Sequence, residues 1–387
     1  MNKDIVRGGD SMKGSKELIR DTLLKLDGIS DNDEWVDLVD RYELDCSPDH
    51  LRKLAYGFRM YRDIMGENSN ETEELVKLKK ERQKVSDLRV EANKQIRNLA
   101  RIENVIDLIK DEINNLAKEK PIINDFKLPV NTSGKDGILV ISDVHVGVTV
   151  KNPINEYNID ICTERLNKVI DKAIQHGLDN KIDKLHIVLN GDLISAELHS
   201  SIKLCNAENL VQQIVRASEM ISQVIGKLSN FFYCTVTQNN GNHEAVDLIK
   251  DDRTNSNNYS MLLNEMIKLR TKHLPNVVFL DSMNNGEMSL MNVKGLNVIS
   301  THGDQITINK CVEQLAMATG VQPQIVLLSH YHQPKMISQY DCEIYINGSL
   351  VSTDNYAFKK KLYNPASQTM LIVTDEGVES SYVIKVH

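Results

Sequence analysis

The sequence has few of the features that accompany secretion, membrane insertion or disulfide-rich folds. Its six cysteines are widely scattered, with no CxxC pair, so we expect free thiols in a reducing compartment. No apolar run approaches the roughly 18 residues that span a bilayer, and the first ten residues contain no hydrophobic signal core. These absences predict a cytoplasmic protein with no membrane association.

An excess of positive charge is also absent. The chain of 387 residues has a formal net charge of −8, which gives no overall attraction to nucleic acid, so any basic surface must be local. Charged residues make up 26% and hydrophobic residues 41%, an ordinary globular composition. The length exceeds that of one usual domain and predicts two or three units.

Residues 1–68 are expected to form a small helical domain. Apolar residues recur there at helical spacing, and one helix is predicted over residues 34–42. After a turn, Ser47 is placed to cap a second helix that begins with Pro48. This layout resembles a helix-turn-helix, although a plain helical packing module fits it equally well.

In a helix-turn-helix the second helix enters the major groove of DNA, so Arg52 and Lys53 are candidate substrate contacts. Phosphate contacts supply most non-specific affinity for DNA, and they require basic residues. Residues 1–60 contain 13 acidic and 10 basic residues, which weakens the DNA-binding interpretation.

Residues 69–119 predict a long amphipathic helix. From residue 70 to residue 118 the chain has no proline or glycine, and apolar residues recur three or four positions apart. Such a helix, about 72 Å long, has an apolar stripe that needs covering. A coiled coil in a homodimer or higher oligomer would cover it. The alternatives are a hairpin and packing against the catalytic domain.

Residues 120–136 form a predicted linker, because proline, glycine and asparagine interrupt both periodicities there. Residues 137–387 then alternate apolar strands with helices, which predicts an α/β catalytic domain. Strands are expected at residues 138–142, 185–189, 231–237, 277–280, 296–300, 325–328, 343–347, 369–374 and 381–385, and helices near 161–176, 208–228 and 258–271.

Five short polar motifs each follow a predicted strand. They are SDVH (Asp143, His145), NGDL (Asp192), GNHE (Asn242, His243), THGD (His302) and SHYH (His330, His332). Ligands gather at the carboxyl ends of strands in open α/β sheets, so these side chains are expected to converge. Carboxylate oxygen and imidazole nitrogen suit two divalent cations that share one carboxylate. A single motif of this kind is weak evidence, whereas five in order are specific.

The set resembles the calcineurin-like metallophosphoesterases over roughly residues 137–355, and in motif style their repair-nuclease and phage branch. The resemblance implies a two-sheet sandwich flanked by helices. It also implies two metal positions bridged by Asp192. The first would use Asp143, His145, Asp192 and His332, and the second Asp192, Asn242, His302 and His330. Ser329 departs from the family pattern, which usually has glycine there.

The catalytic roles also follow from the resemblance. Asp192 would hold both metals, which would activate a water molecule between them for attack on phosphorus. His243 would protonate or stabilise the leaving oxygen, and Glu244 could orient its imidazole. Manganese is the expected metal, with iron, zinc, nickel or cobalt as alternatives.

The absence of one arginine restricts the class of substrate. Serine/threonine phosphatases of the superfamily extend the second motif to GDxxDR, whereas this chain has GDLISAE, which favours a phosphodiesterase. Together with the N-terminal region this predicts a DNA-directed nuclease, with His199 and Arg253 as candidate substrate contacts. The alternatives are a phosphodiesterase of cyclic or linear small nucleotides and a DNA-binding scaffold with an inactive metal site.

Overall fold

The structure is a computed structural model that describes residues 10–29, 34–65, 76–93, 96, 133–197, 204–246 and 257–386. The chain divides into two compact units, Met1–Ile106 and Asp107–His387.

Three short helices open the first unit: α1 (Asp10–Leu26), α2 (Trp35–Arg41) and α3 (Pro48–Met65). Their small core includes Leu38, Leu51 and Ala55, all of which are buried. The Ser47 hydroxyl accepts a hydrogen bond from the His50 amide at 3.3 Å, so this serine caps α3, which begins at the proline. DNA binding by α3 stays a prediction.

A fourth helix, α4, covers residues 76–93, within the region where the coiled coil is predicted. Its apolar side chains are exposed, Val85 by 63% and Leu88 by 68%. Residues 97–119 of the predicted coiled coil lie outside the described residues. The homodimer and the coiled coil therefore stay predictions.

The second unit contains a six-stranded sheet in the order β13-β12-β1-β4-β5-β6. Strands β1, β4, β5 and β6 are parallel, whereas β12 runs antiparallel to β1 and to β13. The strand bounds are β1 (Asp136–Ile141), β4 (Lys184–Asn190), β5 (Tyr233–Asn239), β6 (Val277–Phe279), β12 (Ser367–Thr374) and β13 (Gly377–Lys385).

A five-stranded sheet follows in the order β10-β11-β9-β8-β7, with β8, β9 and β11 parallel. Its strands are β7 (Met288–Val293), β8 (Leu296–Thr301), β9 (Ile325–Leu328), β10 (Lys335–Gln339) and β11 (Cys342–Ile346). A short hairpin joins β2 (Val150–Asn152) to β3 (Asn155–Tyr157).

The two sheets pack face to face with helices outside them. Successive side chains of a strand point to opposite faces, and β1 follows this rule. Ile138 and Val140 pack between the sheets, with Leu327 of the second sheet in the same cluster, whereas Leu139 and Ile141 pack against the outer helices. These helices are α5 (Ile159–Asp179), α6 (Leu210–Ser229) and α7 (Tyr259–Thr271), and α8 (Cys311–Thr319) covers the second sheet.

The predicted strands and the three predicted helices of this unit are present, with bounds that shift by at most about four residues. Strands β2, β3, β7 and β10 and helix α8 were not predicted. Helix α9 (Asn355–Lys360) was not predicted either; Asp354 caps it by accepting a hydrogen bond from the Ala357 amide at 2.6 Å.

Two sequence expectations concern the chain as a whole. All six cysteines lie among the described residues, and all are free thiols. Among those residues, no helix has both the length and the apolarity that crossing a membrane requires.

Candidate metal centre

All five polar motifs lie in loops that leave the same ends of parallel strands. Those of Asp143 and Asp192 follow β1 and β4, and that of Asn242 follows β5. In the second sheet, His302 follows β8, and His330 follows β9. Since the two sheets face each other, the five loops converge on one site at the carboxyl ends of these strands. The structure thus brings together the seven residues predicted as ligands and His243.

The first cluster contains Asp143, His145 and His332, whose ligand atoms lie within 4.8 Å of one another. The Nε2 atom of His332 lies 3.1 Å from Asp143 Oδ1 and 3.3 Å from His145 Nε2. Asp192 Oδ2 lies 4.0 Å from His145 Nε2. The cluster contains three of the four residues predicted for the first metal, and Asp192, the fourth, lies beside it.

The second cluster contains Asp192, His302 and His330, again within 4.8 Å. His302 Nε2 lies 3.2 Å from Asp192 Oδ2 and 3.1 Å from Asn242 Oδ1. The other ring nitrogen of His302 contacts the Asn190 carbonyl at 2.8 Å, and because a carbonyl only accepts, that nitrogen carries the hydrogen. His302 therefore presents an unprotonated Nε2 when neutral, as metal binding requires.

The donor set fits two divalent cations. The carboxylates of Asp143 and Asp192 are completely or almost completely buried, and Asp143 Oδ1 has no hydrogen-bond donor apart from the His332 ring 3.1 Å away, which donates only when that nitrogen is protonated. A buried carboxylate oxygen without a donor is costly unless a cation binds it. Carboxylate oxygen, amide oxygen and imidazole nitrogen suit manganese, iron, zinc, nickel or cobalt. Asp192 belongs to both sides of the site, which fits its predicted bridging role.

The backbone of the site is strained. Residues with a side chain rarely adopt positive φ, because Cβ then crowds the carbonyl oxygen. Five of the predicted ligands do so, with φ between 49° and 68°: Asp143, His145, Asp192, His330 and His332. Strain of this kind persists where the surrounding structure imposes it, and it concentrates at functional sites.

Two glycines permit the close approach of the loops. A Cβ atom on Gly191 would lie 2.7 Å from both Gly241 Cα and His302 Nδ1. A Cβ atom on Gly241 would lie 2.1 Å from the Asp192 nitrogen and 2.2 Å from Asp192 Oδ1. Real Cβ atoms do not come so close, so the glycine before Asn242 is required for Asp192 to occupy its position.

Glu244 has a different role from the one predicted. Its carboxylate does not contact the His243 imidazole but accepts hydrogen bonds from the amides of Asp192, Leu193 and Ile194 at 3.0, 2.6 and 3.3 Å. Burial, together with the charge of Asp192, raises the pKa of Glu244 to about 8. Glu244 thus fixes the loop that carries the shared carboxylate.

His243 is oriented by the backbone. Its Nδ1 donates to the Ser195 carbonyl at 2.8 Å, and its amide donates to Asp192 Oδ1 at 2.9 Å. The opposite ring nitrogen, Nε2, lies 4.0 Å from Asp192 Oδ2. His243 also lies within 4.8 Å of His145 and Asp192, so it borders the first cluster.

Ser329, where the family pattern has glycine, joins a buried polar network between the sheets. Its hydroxyl accepts a hydrogen bond from Asn190 Nδ2 at 2.8 Å, and the same amide group donates to the Thr301 carbonyl. Asn239 donates to Asn190 Oδ1 at 2.7 Å. The network connects β4 and β5 with the loops that carry the predicted metal ligands of the second sheet.

We expect Ser329→Gly to lower the free energy of unfolding by about 1 kcal/mol, the usual contribution of one buried hydrogen bond. Asn190 keeps its bond to Thr301, so the loss is partial and the site keeps its shape. Urea unfolding of the two proteins measures the change. An unchanged midpoint would contradict this role, and Ser338→Gly, at an exposed strand position, is the matched control.

Protons compete with metal for the imidazoles. Burial alone lowers the pKa of His302 and of His332, but Asp192 and Asp143 outweigh it, so both pKa values are raised. Burial, together with the neighbouring His243, lowers the pKa of His145 to about 3. Without metal, these two imidazoles therefore hold their protons to higher pH than an ordinary histidine does.

Because bound metal displaces those protons, we expect metal affinity to rise as pH rises through the raised pKa values of His302 and His332. Isothermal titration of the metal-free protein with Mn²⁺, in buffers that differ in ionisation enthalpy, counts the protons released. A pH-independent affinity with no proton release would show that these imidazoles do not bind the metal.

A cleft of about 630 Å³ opens beside the first cluster. His145, His243 and His332 lie on one side, and Tyr356 and Lys359 of α9 line it as well. Several apolar side chains complete the lining: Val148, Val150 and Val351. A cleft of this size accommodates a nucleotide-sized group next to the metal ligands.

None of the four predicted substrate contacts lies in the described part of the catalytic unit. His199 and Arg253 lie outside the part of the chain that the structure describes. Arg52 and Lys53 lie on α3 of the first unit, where both form salt bridges with Asp49, at 2.6 and 2.9 Å. Their role in substrate binding stays a prediction.

Comparison with known proteins gives only distant similarities. No family model matches the sequence. The SPbeta prophage-derived uncharacterized protein YonJ of Bacillus subtilis (strain 168) is 27% identical over 139 residues, which are 35% of this chain and 34% of that protein. The match thus spans about a third of the length of this curated relative.

Three solved structures are similar to the chain. An archaeal phosphodiesterase is 14% identical, with 64% of this chain and 99% of that chain covered and a TM-score of 0.33. The phosphoesterase Yfce of E. coli is 15% identical, with 64% of this chain and 100% of that chain covered and a TM-score of 0.32. Vacuolar Protein Sorting 29 of Cryptosporidium parvum is 12% identical, with 66% of this chain and 100% of that chain covered and a TM-score of 0.31. Scores this low do not establish a common fold, so the case for a metal centre rests on its geometry.

Proposed function

We propose that the chain is a calcineurin-like metallophosphoesterase and acts as a two-metal phosphodiesterase. The observation that carries this proposal is the pair of adjoining clusters, one with Asp143, His145 and His332 and the other with Asp192, His302 and His330. Asn242 lies next to the second cluster, and Asp192 lies close to His145 of the first. The order of the five motifs along two facing sheets supports the same family. When bound, two divalent cations would activate a water molecule and neutralise charge that develops on the phosphoryl oxygens.

The protein residues perform the remaining tasks. Asp143, His145 and His332 hold the first cation position, Asn242, His302 and His330 hold the second, and Asp192 belongs to both. His243 acts on the leaving oxygen through Nε2, since its Nδ1 is committed to the Ser195 carbonyl. Glu244 keeps the Asp192 loop in place through three amides.

A diester substrate is favoured over a phosphomonoester. In the GDxxDR pattern the arginine grips the monoester dianion, and Ala196 stands at that position here. Ala196 is buried, and its amide donates to Gln213 Oε1 at 2.8 Å, so this position points no cation at the substrate. A diester carries one negative charge less, and two metals and His243 suffice to bind it.

Among diesters, we infer that DNA is the substrate, and the enzyme a nuclease that uses manganese. The similarity to a prophage-derived protein over 139 residues fits a phage context. The predicted oligomer would place two catalytic sites on one DNA molecule. A second candidate is a phosphodiesterase of small nucleotides, which the nucleotide-sized cleft beside the first cluster favours.

The test uses metal-free protein that is reloaded with Mn²⁺. Substrates are bis(p-nitrophenyl) phosphate, the corresponding monoester, and labelled single- and double-stranded DNA. Cleavage of the diester and of DNA is the expected result. Cleavage of the diester alone would favour the small-nucleotide enzyme, and no hydrolysis despite bound metal would favour a scaffold.

We expect His243→Ala to lower kcat for the diester about 10²-fold while metal binding is retained, because general acid catalysis contributes a factor of this order. His176→Ala is the matched control, since that histidine lies at the far end of α5 and stacks on Tyr382. Comparable activity of the two variants would remove His243 from the mechanism. Loss of metal from His243→Ala would instead make it a ligand.

A further inference from the structure

One wall of the active-site cleft is built by a segment that no motif of the metal centre includes. This segment, residues 354–363, is the α9 wall, and it contains α9 and the turn after it. Asn355, Tyr356 and Lys359 line the cleft together with His145 and His332. The α9 wall therefore lies where a substrate chain must pass as it leaves the scissile phosphate.

The α9 wall has a strong local positive charge. Lys359, Lys360 and Lys361 are consecutive and exposed, in a chain whose net charge is −8. Among the residues that the structure describes, none of these three lysines forms a salt bridge with a carboxylate. The acidic residue of the segment, Asp354, is half-buried, caps α9 and also lines the cleft. Three lysines without a salt bridge, one of which lines the cleft, leave the segment with an excess of positive charge that suits the phosphates of a polyanion.

Aromatic side chains are interleaved with these cations. Tyr356 is 67% exposed and Tyr363 is 63% exposed. The Lys360 ammonium lies 5.8 Å from the centroid of the Tyr356 ring, so cation and ring form one surface. Rings that stack on bases, next to cations that bind phosphates, are the combination used by proteins that bind single-stranded nucleic acid.

The interior of the cleft is suited to a base. Val148, Val150 and Val351 give it an apolar lining, and Tyr356 adds an aromatic one. In a duplex both faces of a base are covered by its neighbours, so a ring can stack only on a base that has left the helix. The cleft thus favours an unpaired strand over an intact duplex.

We propose that the α9 wall binds single-stranded nucleic acid, with Tyr356 stacking on a base next to the scissile phosphate and the three lysines contacting the following phosphates. This inference rests on the proposed function and narrows its substrate class to unpaired strands. Tyr356 and the lysines position the strand and take no part in the chemical step.

Strand binding is measured without hydrolysis. The anisotropy of a labelled oligothymidylate of about 15 nucleotides, matched to the size of single-strand sites, is titrated with full-length protein in EDTA. Tyr356→Ala is expected to raise Kd about tenfold, whereas Tyr356→Phe, which keeps the ring, stays close to the wild type. Since Tyr356 is exposed, neither change is expected to disturb folding.

The contribution of the three lysines is measured by the salt dependence of strand binding. In the triple variant Lys359→Gln, Lys360→Gln, Lys361→Gln, the slope of log K against log salt concentration should fall by about 2, since each phosphate contact contributes about 0.7 for single strands. Tyr233→Ala and Lys184→Gln are matched controls, because both residues begin strands whose opposite ends carry the metal ligands. Both controls are expected to bind like the wild type.

Unchanged affinity in Tyr356→Ala, or an unchanged salt slope in the triple variant, would overturn the proposal, as would tighter binding of a duplex of the same length. Wild-type protein with Mn²⁺ is assayed in parallel on bis(p-nitrophenyl) phosphate. If the protein hydrolyses this diester but the substitutions do not change strand binding, the proposed role of the α9 wall is refuted and the phosphodiesterase is not. If the substitutions weaken strand binding but the protein hydrolyses no diester, the proposed phosphodiesterase activity is refuted and the role of the α9 wall is not.

Discussion

Gly241→Ala is expected to lower metal binding and diester hydrolysis together, with activity falling about 10²-fold or more. The added methyl carbon would lie within 2.2 Å of the Asp192 backbone nitrogen, of its Oδ1 and of Glu244 Oε2. None of these atoms belongs to a flexible side-chain end that can move aside, because Glu244 is itself held by three amides. The loop after β4 must therefore shift, and the shared carboxylate shifts with it.

Metal content after reconstitution, read by elemental analysis, and kcat with bis(p-nitrophenyl) phosphate together test this expectation. Gly57→Ala is the control: this glycine lies inside α3, with no atom within 4 Å of the new methyl group. The control should gain up to about 1 kcal/mol of stability, because alanine favours a helix over glycine. Full activity of Gly241→Ala would show that the Asp192 loop tolerates displacement.

Asp192→Asn should abolish most activity, on the order of 10³-fold, because losing the shared negative charge removes several kcal/mol of stabilisation from both cation positions. The substitution is nearly isosteric. The new amide oxygen can still accept the His243 amide, which now bonds to Asp192 Oδ1 at 2.9 Å, so the fold should persist.

Binding stoichiometry is the informative measurement for this variant. We expect fewer than two Mn²⁺ per chain in Asp192→Asn, whereas Asp171→Asn, at an exposed carboxylate paired with Lys227, should bind as the wild type does. Retention of two tightly bound ions with only a modest loss of rate would mean that Asp192 does not bridge them.

Much of the site was predictable because its chemistry is local in sequence. Each motif is a run of a few residues directly after an apolar strand, and strands of that kind can be recognised by composition alone. Asp143, Asp192 and His302 could therefore be assigned to one edge of the sheets before their distances were known. Parallel strands guarantee that their carboxyl ends meet.

The remaining features depend on contacts between distant residues. Glu244 follows His243 in the chain, which suggested that it orients the ring, yet its carboxylate reaches the amides of Leu193 and Ile194, about 50 residues away. Ser329 looked like a departure from the glycine pattern, and its partner Asn190 lies 139 residues away. No periodicity reveals such partners.

Local signals also failed where elements are short. The α9 segment has only six helical residues, too few to show a period, although Asp354 in front of it is a capping residue that could have indicated a helix start. Strand β10 is mostly exposed and carries a mixed pattern, so composition alone did not distinguish it from a loop.

The left-handed backbone at five predicted metal ligands destabilises the fold while it serves the proposed activity. Each such residue costs roughly 1 kcal/mol or more in the folded protein, and a cation that binds the native state offsets that cost. A library screened only for heat tolerance, without metal, is therefore expected to accumulate Asp143→Gly and Asp192→Gly, since glycine adopts positive φ without penalty. Heat-tolerant variants of this chain found in that way would be poor hydrolases, and engineering for stability should leave these loops untouched.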